Sequence, residues 1–312
     1  MSATRPIPVN PELTGIAVAA PVPNMIADLV APSVQVGAES YKWTEYPVEQ
    51  GMTVPDTKVG RLARTKRVEF GGIERDGSVD DHGLEDAVPA SDATANSAID
   101  PRALASEQTS QLVTLARELR VRDMVHSTGN YLAGQVTNYG AGEGWDTATV
   151  DALEEIEAAK DAAIVDFNTL VLGRDGWAAL RKNPFMVKAA RSANTSGEGR
   201  LSMNEVKDLL EIENIVVGQA MVNTAKPGQV AAPARAWSTH AALIYAEQVV
   251  KSTKVFTFAS TFRLTGKQTF VIPDPHIGLQ GGEIIKVGER LKEQVVAKVA
   301  GWLFQNAIAG PA

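Results

Sequence analysis

The sequence predicts an α+β chain built from five consecutive pieces: an apolar N-terminal arm, an extended β-hairpin, a long helix, an alternating α/β unit and a β-rich C-terminal segment. Three observations carry this. Six of the sixteen prolines fall in the first 37 residues. An uninterrupted helical stretch opens at Pro101 and runs to about Tyr131. From Ile285 to Leu303 seven of the ten odd positions are apolar, which is the period of a strand.

Composition bounds the answer. At about 150 residues per domain, 312 residues make one large or two modest domains. A chain that is 44% apolar and 21% charged builds a core and is not disordered throughout. The net charge of −7 argues against a protein that grips nucleic acid by neutralising phosphates, though not against one that encloses it. Cysteine is absent, which removes disulfides, thiolate zinc sites, iron–sulfur clusters and cysteine nucleophiles. No window of 18 consecutive apolar residues exists to span a membrane as a helix. The opening Met-Ser-Ala-Thr-Arg-Pro has no basic region followed by an apolar run, so no secretory signal is expected and the product should be cytosolic when made.

Residues 1–37 combine Pro6, Pro8, Pro11, Pro21, Pro23 and Pro32 with Ile16, Val18, Val22, Met25, Ile26, Leu29 and Val30. Proline fixes φ and removes a backbone donor, so no long helix or central strand is expected here. Two readings follow for an apolar extended arm: a tail wrapped on its own domain, or an arm packed on a neighbouring subunit. The runs Tyr41–Tyr46 and Thr65–Phe70 are rich in aromatic and β-branched residues and read as the two strands of a long hairpin, with turn chemistry from Gly51 to Asp56 between them. Such a hairpin has few residues with which to form its own core, and long connectors of this kind are usually functional.

Charge is blocked along this region. Residues 58–75 carry Lys58, Arg61, Arg64, Lys66, Arg67 and Arg75 against Glu69 and Glu74, a net +4. Residues 76–100 carry Asp76, Asp80, Asp81, Glu85, Asp86, Asp92 and Asp100 with no lysine or arginine, a net −7.

Asp100 is the expected N-cap of the long helix and Pro101 its first residue. Leu104, Gln111, Leu112, Leu115, Leu119 and His126 share about one third of its circumference, while Val113, Val121, Met124 and Val125 lie elsewhere, so neighbours on more than one side are expected. Glycines 129, 134, 140, 142 and 144 mark a boundary. A helix capped by Asp146 is expected through Ile164, then a buried strand over Phe167–Gly173, a helix over Asp175–Lys182 stopped by Asn183-Pro184, a capping box at Ser202 and Glu205 opening a helix to about Glu211, and a strand at Ile215–Gly218. Helix, strand, helix, helix, strand reads as an α/β or α+β unit. Phe256, Phe258, Phe262 and Leu264 alternate with polar or small residues. The run from Ile285 to Leu303, with Glu289, Glu293 and Gly301 as exceptions, reads as one unusually long strand.

Catalytic and metal chemistry finds no constellation. His82, His126, His240 and His276 are scattered and read as structural. The stretch from Asp76 to Asp81 resembles the start of a calcium loop, but Asp81 stands where glycine is required and Ala87 where glutamate is, so a solvated acidic loop is expected. Gly140-Ala141-Gly142-Glu143-Gly144 lacks the phosphate-binding register and reads as a hinge; Glu154, Glu155 and Glu157 read as a solvated helix face. Neither a P-loop nor a nucleophile elbow is present. No catalytic residue, cofactor or metal is expected.

The order of these pieces resembles a tailed-bacteriophage major capsid protein of the Hong Kong 97-like fold. Asn168-Thr169-Leu170-Val171-Leu172-Gly173, followed by Trp177, Leu180, Asn183 and Pro184, is similar to a strand–helix passage of these coat proteins. So is Asn214-Ile215-Val216-Val217-Gly218, followed by Asn223-Thr224-Ala225, Trp237, Ala241 and Tyr245. The resemblance covers nearly the whole chain. It implies an N-terminal arm at 1–37, an extended hairpin loop at 38–89, a peripheral domain with its spine helix at 90–142 and 251–312, and an axial domain at 143–250. It implies self-assembly as pentamers and hexamers into an icosahedral-type shell around the double-stranded DNA of a tailed bacteriophage. The DNA would be enclosed but weakly bound, and the protein would be made in the host cytoplasm and found in the virion. Separate scaffolding, portal or decoration proteins are the further partners it implies. No helical, charged segment precedes the arm, so scaffolding is expected to be separate or absent. Some relatives cross-link subunits through lysine and asparagine; Lys58 and Lys66 lie in the hairpin, but no acceptor or catalytic glutamate aligns, and this is not carried over. A bacterial encapsulating shell with protein cargo and an α/β enzyme such as a hydrolase are the alternatives. The charge blocks suggest one contact between subunits: Arg61, Arg64, Lys66 and Arg67 of one copy over Asp80, Asp81, Glu85 or Asp86 of the next.

Overall fold

The computed structural model describes residues 9–19, 25–45, 49–69, 71–94, 100–191, 197–247 and 256–308. The N-terminal third contains α1 (Pro11–Ala19), α2 (Ala27–Val30), β1 (Ser33–Gln35), β2 (Ser40–Glu45), α3 (Glu49–Met52), β3 (Ile73–Ser78), β4 (Asp80–Pro89), α4 (Ala90–Thr94) and α5 (Pro101–His126). The middle contains β5 (Val136–Asn138), α6 (Ala152–Ala162), β6 (Thr169–Gly173), α7 (Arg174–Leu180), α8 (Pro184–Ala190), α9 (Met203–Leu210), β7 (Asn214–Gly218), β8 (Met221–Asn223), β9 (Pro233–Arg235) and β10 (Ala241–Ile244). The last part contains β11 (Ala259–Asp274), β12 (Gly282–Val295) and β13 (Gly301–Gln305).

Local chemistry sets the helix ends. The Asp100 carboxylate accepts the Arg102 N–H, and Pro101 occupies the first helical position of α5. Asn183 does the same for α8 with Pro184 behind it. At α9 the Ser202 hydroxyl accepts the Glu205 N–H while the Glu205 carboxylate accepts the Ser202 N–H, a complete capping box.

Two sheets organise the chain. One has the order β1-β11-β12-β4 and carries α5 and α1 on one face. The other has the order β5-β13-β10-β6-β7. Its strands β6 and β10 are buried at every position. Leu170, Leu172, Leu243 and Phe304 face α6–α9, packing with Ile156, Trp177, Met186 and Val206. Val171, Ala242, Ile244 and Leu303 face the other way, packing with Val30 of α2, Val121 and Val125 of α5, and Trp237. That second layer is where the two halves of the molecule meet.

Several expectations are corrected. The run from Ile285 to Leu303 is two strands in two different sheets, β12 and β13, separated by a short 3-10 turn at Lys298–Ala300. β12 turns its odd residues inward, whereas β13 is buried on both faces, Leu303 facing one layer and Trp302 and Phe304 the other. The three exceptions have causes: Glu289 pairs with Arg117 at 3.2 Å, Glu293 with Arg120 at 2.8 Å, and a Cβ on Gly301 would lie 2.5 Å from the Phe258 ring. The return strand of the hairpin is β3, not Thr65–Phe70: residues 65–69 are exposed and irregular, and Phe70 and Tyr46 lie outside the described residues. Strand propensity had no partner strand to act on there.

The arm is not extended throughout. Asn10 accepts the Glu12 and Leu13 N–H groups and starts α1, whose Leu13 and Ala17 are buried where α1 packs on the chain's own α5 and β11. Residues 1–8 and 20–24 of the arm lie outside the described residues. The helix expected from Asp146 begins instead at Ala152 with Asp151 as its cap. The long helix stops at His126, short of Tyr131. Its buried face is also not the leucine stripe. Ala105, Ser106, Thr109, Ser110, Val113, Thr114, Arg117, Glu118, Val121 and Val125 point inward, while Leu104 and Leu112 are exposed. The small and hydroxylated residues let α1 approach closely: Ser106 and Ser110 donate to the Leu13 and Ala17 carbonyls at 3.1 and 2.6 Å.

Candidate subunit interface

The hairpin base is built by β2 and β3, antiparallel from Ser40 opposite Ser78 to Glu45 opposite Ile73. Lys42–Glu74 at 2.6 Å and Arg75–Glu45 at 2.9 Å are ion pairs on the diagonal across it. Tyr41 stacks on Phe262 of β11 with centroids 4.4 Å apart, and Trp43 packs beside it, so the base is fixed to the first sheet. Burial, with Asp80 nearby, pushes the Tyr41 hydroxyl up to about 12.

Beyond that base every residue from 53 to 69 is exposed and outside regular secondary structure. Leu62 is 92% and Val54 83% exposed. Lys66 reaches back to Asp56 at 2.7 Å, and that hydrogen bond holds the Asp56 carboxyl below its usual range. Arg61, Arg64 and Arg67 make no ion pair among the described residues.

The stretch Asp76–Asp81 is strand, not the solvated loop expected from the sequence: it ends β3 and opens β4. Asp80, Asp81, Glu85 and Asp86 of the acidic block lie on β4, which pairs antiparallel with β12, and β12 supplies cations of its own. Lys292 binds Asp80 and Arg290 binds Asp81, each at 2.5 Å; Arg290 also reaches Glu39 at 3.1 Å. The Lys292 bond keeps the Asp80 carboxyl below its usual range. Glu85 and Asp86 are exposed and form no ion pair among the described residues. Within one subunit, then, none of Arg61, Arg64, Lys66 and Arg67 meets any of the four acids. The β12 cations were readable: Lys286, Arg290 and Lys292 occupy the even positions that the inward-facing odd residues leave outside.

A second feature had no sequence signal. Trp237 sits on a floor made by two glycines that face each other across β6 and β7, Gly173 and Gly218. A Cβ on Gly173 would lie 2.1 Å from the Trp237 carbonyl oxygen, and one on Gly218 would lie 2.2 Å from the Trp237 ring. The indole N–H points to the buried Glu118 of α5. Arm, long helix and second sheet therefore converge on one side chain.

No family model matches the chain. It is 39% identical over 305 residues to the major capsid protein of Pseudomonas phage JBD67, covering 97% of this chain and 98% of that one. It is 26% identical over 220 residues to the major capsid protein of Burkholderia phage BcepMu, covering 68% and 69%. Among solved structures, a phage-related protein from Bordetella bronchiseptica superposes with a TM-score of 0.73 at 22% identity, over 97% of this chain and 98% of that one. The capsid structure of Mycobacterium phage Adephagia gives 0.55 at 10% identity, over 94% of each chain. An encapsulin from Synechococcus elongatus gives 0.51 at 11%, over 98% and 92%. Identity of this extent along nearly the full length of a curated relative, with a matching architecture, places the chain in the phage major capsid proteins of the Hong Kong 97-like fold.

Proposed function

We propose that copies of this chain assemble as pentamers and hexamers into a closed icosahedral-type shell around the double-stranded DNA genome of a tailed bacteriophage. The observation that carries this reading is the loop at 53–69, which holds exposed apolar side chains and three arginines that make no ion pair among the described residues. Burial on a neighbour stabilises at about 25 cal/mol per Å², and modest contacts repeated around a closed shell add up. The net charge of −7 suits a container that does not bind its polyanionic content tightly. In this reading the chain is structural and has no catalytic site, and it is made in the host cytoplasm. Separate scaffolding, portal and decoration proteins complete the list of partners.

The same reading divides the chain into an arm at 1–37, a hairpin loop at 38–89, a peripheral domain at 90–142 and 251–312, and an axial domain at 143–250. The two sheets support such a division. The strands β5 and β13, drawn from the peripheral stretches, form one edge of the second sheet and tie the two domains together. The loop cations Arg61, Arg64, Lys66 and Arg67 lie over the acidic strand of the next copy. Glu85 and Asp86 are the acids free to receive them, and Asp80 and Asp81 already hold a cation each.

Electron microscopy of the purified chain tests the reading. Closed shells carrying double-stranded DNA when isolated from phage lysates are expected. Shells loaded with an enzyme would turn the reading to an encapsulating compartment. A compact monomer at high concentration, by small-angle scattering, would overturn both; a chain of this length packed as a globule has a radius of gyration of about 20 Å.

A further inference from the structure

We propose that His126 and His240 form an acid-opened latch at the joint between α5 and the five-stranded sheet. His126 is the last residue of α5, and His240 immediately precedes β10. Their rings meet edge to face with centroids 4.6 Å apart, and His126 meets Trp237 in the same way at 5.4 Å. The helix end is thus held to the sheet through two imidazoles and an indole.

The hydrogen bond at His240 requires a neutral ring. The Asn306 N–H donates to His240 Nδ1 at 2.9 Å, so Nδ1 is an acceptor and the ring proton sits on Nε2. Asn306 follows β13 in a left-handed conformation, φ 58°, and this bond helps hold that turn. A proton on Nδ1 would set donor against donor. The Thr239 hydroxyl, 3.3 Å from the same atom, is the other polar group there. From α5 the charged neighbour is Arg122, itself bonded to Asp123 at 2.6 Å. The Glu118 carboxylate is occupied by the Trp237 indole and the arm. No carboxylate pairs with either imidazole among the described residues, so nothing compensates an added charge.

Burial first, then the partner His240 and Arg122, push the His126 imidazole down to about 3; burial also lowers His240. The closed joint therefore excludes a proton that an exposed imidazole accepts near pH 6.5. The stability contributed by the pair is complete above that value and is lost as pH falls towards the depressed one. At pH 5 the opened form gains about 30-fold in relative weight from His126 alone, compared with pH 7.5.

Hydrogen exchange on the full-length subunit tests this. Peptides spanning 119–127 and 235–246 should lose protection by about 30-fold or more between pH 7.5 and 5.0, after correction for intrinsic exchange, while peptides from α6 to α9 hold theirs. The variant His126→Phe with His240→Gln keeps ring packing and an acceptor for Asn306, and should abolish the loss. Unchanged protection in the parent, or an equal loss in the variant, overturns the latch. Should the variant not fold, the parent's histidine Cε1–H resonances decide: His126 and His240 rings that titrate near 6.5 in the folded subunit also overturn it.

Discussion

The indole Nε1 of Trp237 donates to the Glu118 carboxylate at 2.6 Å, in the layer between the long helix and the second sheet. The same carboxylate accepts the backbone N–H groups of Ile26 and Ala27 at 3.0 and 2.8 Å, so it also fixes the start of α2. Glu118 is fully buried, and its charge is met by three donors rather than by a cation. A buried carboxylate is tolerable only when its lone pairs are filled in this way.

Glu118→Ala should therefore destabilise the subunit by about 3 kcal/mol or more, because it strands one indole and two backbone donors in a dry layer. Glu118→Gln keeps the shape but presents an amide N–H to donors, and should fall between the two. Urea unfolding of the three proteins measures this. An alanine variant within about 0.5 kcal/mol of the parent would show that the joint is not held here.

Gly173→Ala should cost about 3 kcal/mol, since its Cβ would meet the backbone oxygens of Trp237 and Ser238 and neither can swing aside as a side chain could. Gly176→Ala, one turn into α7 with only the Leu172 side chain at an ordinary 3.5 Å, is the control and should be neutral or slightly stabilising. Thermal unfolding of both variants separates the close approach from helix propensity.

Much of this was legible in the residues, because local signals fix local structure. The Asp100-Pro101 start, the Ser202–Glu205 box and the strands at 169–173 and 214–218 all carry their cause within a few positions. The failures share one physical reason, which is that the deciding partner is far along the chain. The long helix buries serine, threonine, arginine and glutamate because α1 brings carbonyls, β12 brings Glu289 and the segment before β10 brings Trp237 to them. Periodicity alone favours its leucines. Residues 65–69 have strand composition and no strand, because the partner of β2 is decided by what can pair across it. In the interface the blocked charges were visible, but the cations that hold Asp80 and Asp81 lie about 210 residues away on β12.

Reversing charge in the loop should impair assembly. Arg64→Glu with Arg67→Glu is expected to lower shell yield, most strongly at low salt, where unlike charges attract over longer distances. Adding Glu85→Lys and Asp86→Lys should restore it. Exposed pairs are each worth only about 0–1 kcal/mol, so the readout is assembly yield against salt rather than subunit stability. Unchanged yield and salt dependence in the double arginine variant would dismiss the contact.

Alkaline titration should expose two silent tyrosines. Burial raises Tyr131 and Tyr139 far above the ordinary value of 10, and Tyr139 is further held by its hydrogen bond to Glu155. A raised phenol contributes stability that is complete below pH 10 and is lost as pH rises, because only the unfolded chain ionises readily. Absorbance at about 295 nm should show these two ionising together with unfolding, after Tyr245 and after Tyr41 near 12. Stepwise ionisation of all tyrosines around pH 10 in a folded subunit would contradict the burial of both rings.

The ion pair between Arg117 and Glu289 should behave as a buried pair whose removal is harmless and whose halving is not. Both side chains are almost fully buried, 6% and 1% exposed, and the contact is 3.2 Å. Arg117 also reaches the exposed Asp28 at 2.8 Å, which ties α2 to the long helix. The pair is incompletely satisfied: Arg117 Nε and Glu289 Oε1 find no hydrogen-bond partner among the described residues. Desolvation then offsets most of the attraction, and well-packed apolar replacements should do as well. Arg117→Met alone leaves the Glu289 charge in the dry layer and should cost about 3–5 kcal/mol. Lys267, whose side-chain nitrogen binds the Ser110 hydroxyl at 3.0 Å, is the other cation near Glu289; burial lowers its affinity for a proton and the Glu289 charge partly offsets that. Arg117→Met with Glu289→Leu should return to within about 1 kcal/mol of the parent, a coupling that a double-mutant cycle by chemical denaturation reads directly. Additive losses in the double variant would mean that each side chain acts through separate contacts, and that the charge of Glu289 is stabilised by something other than Arg117.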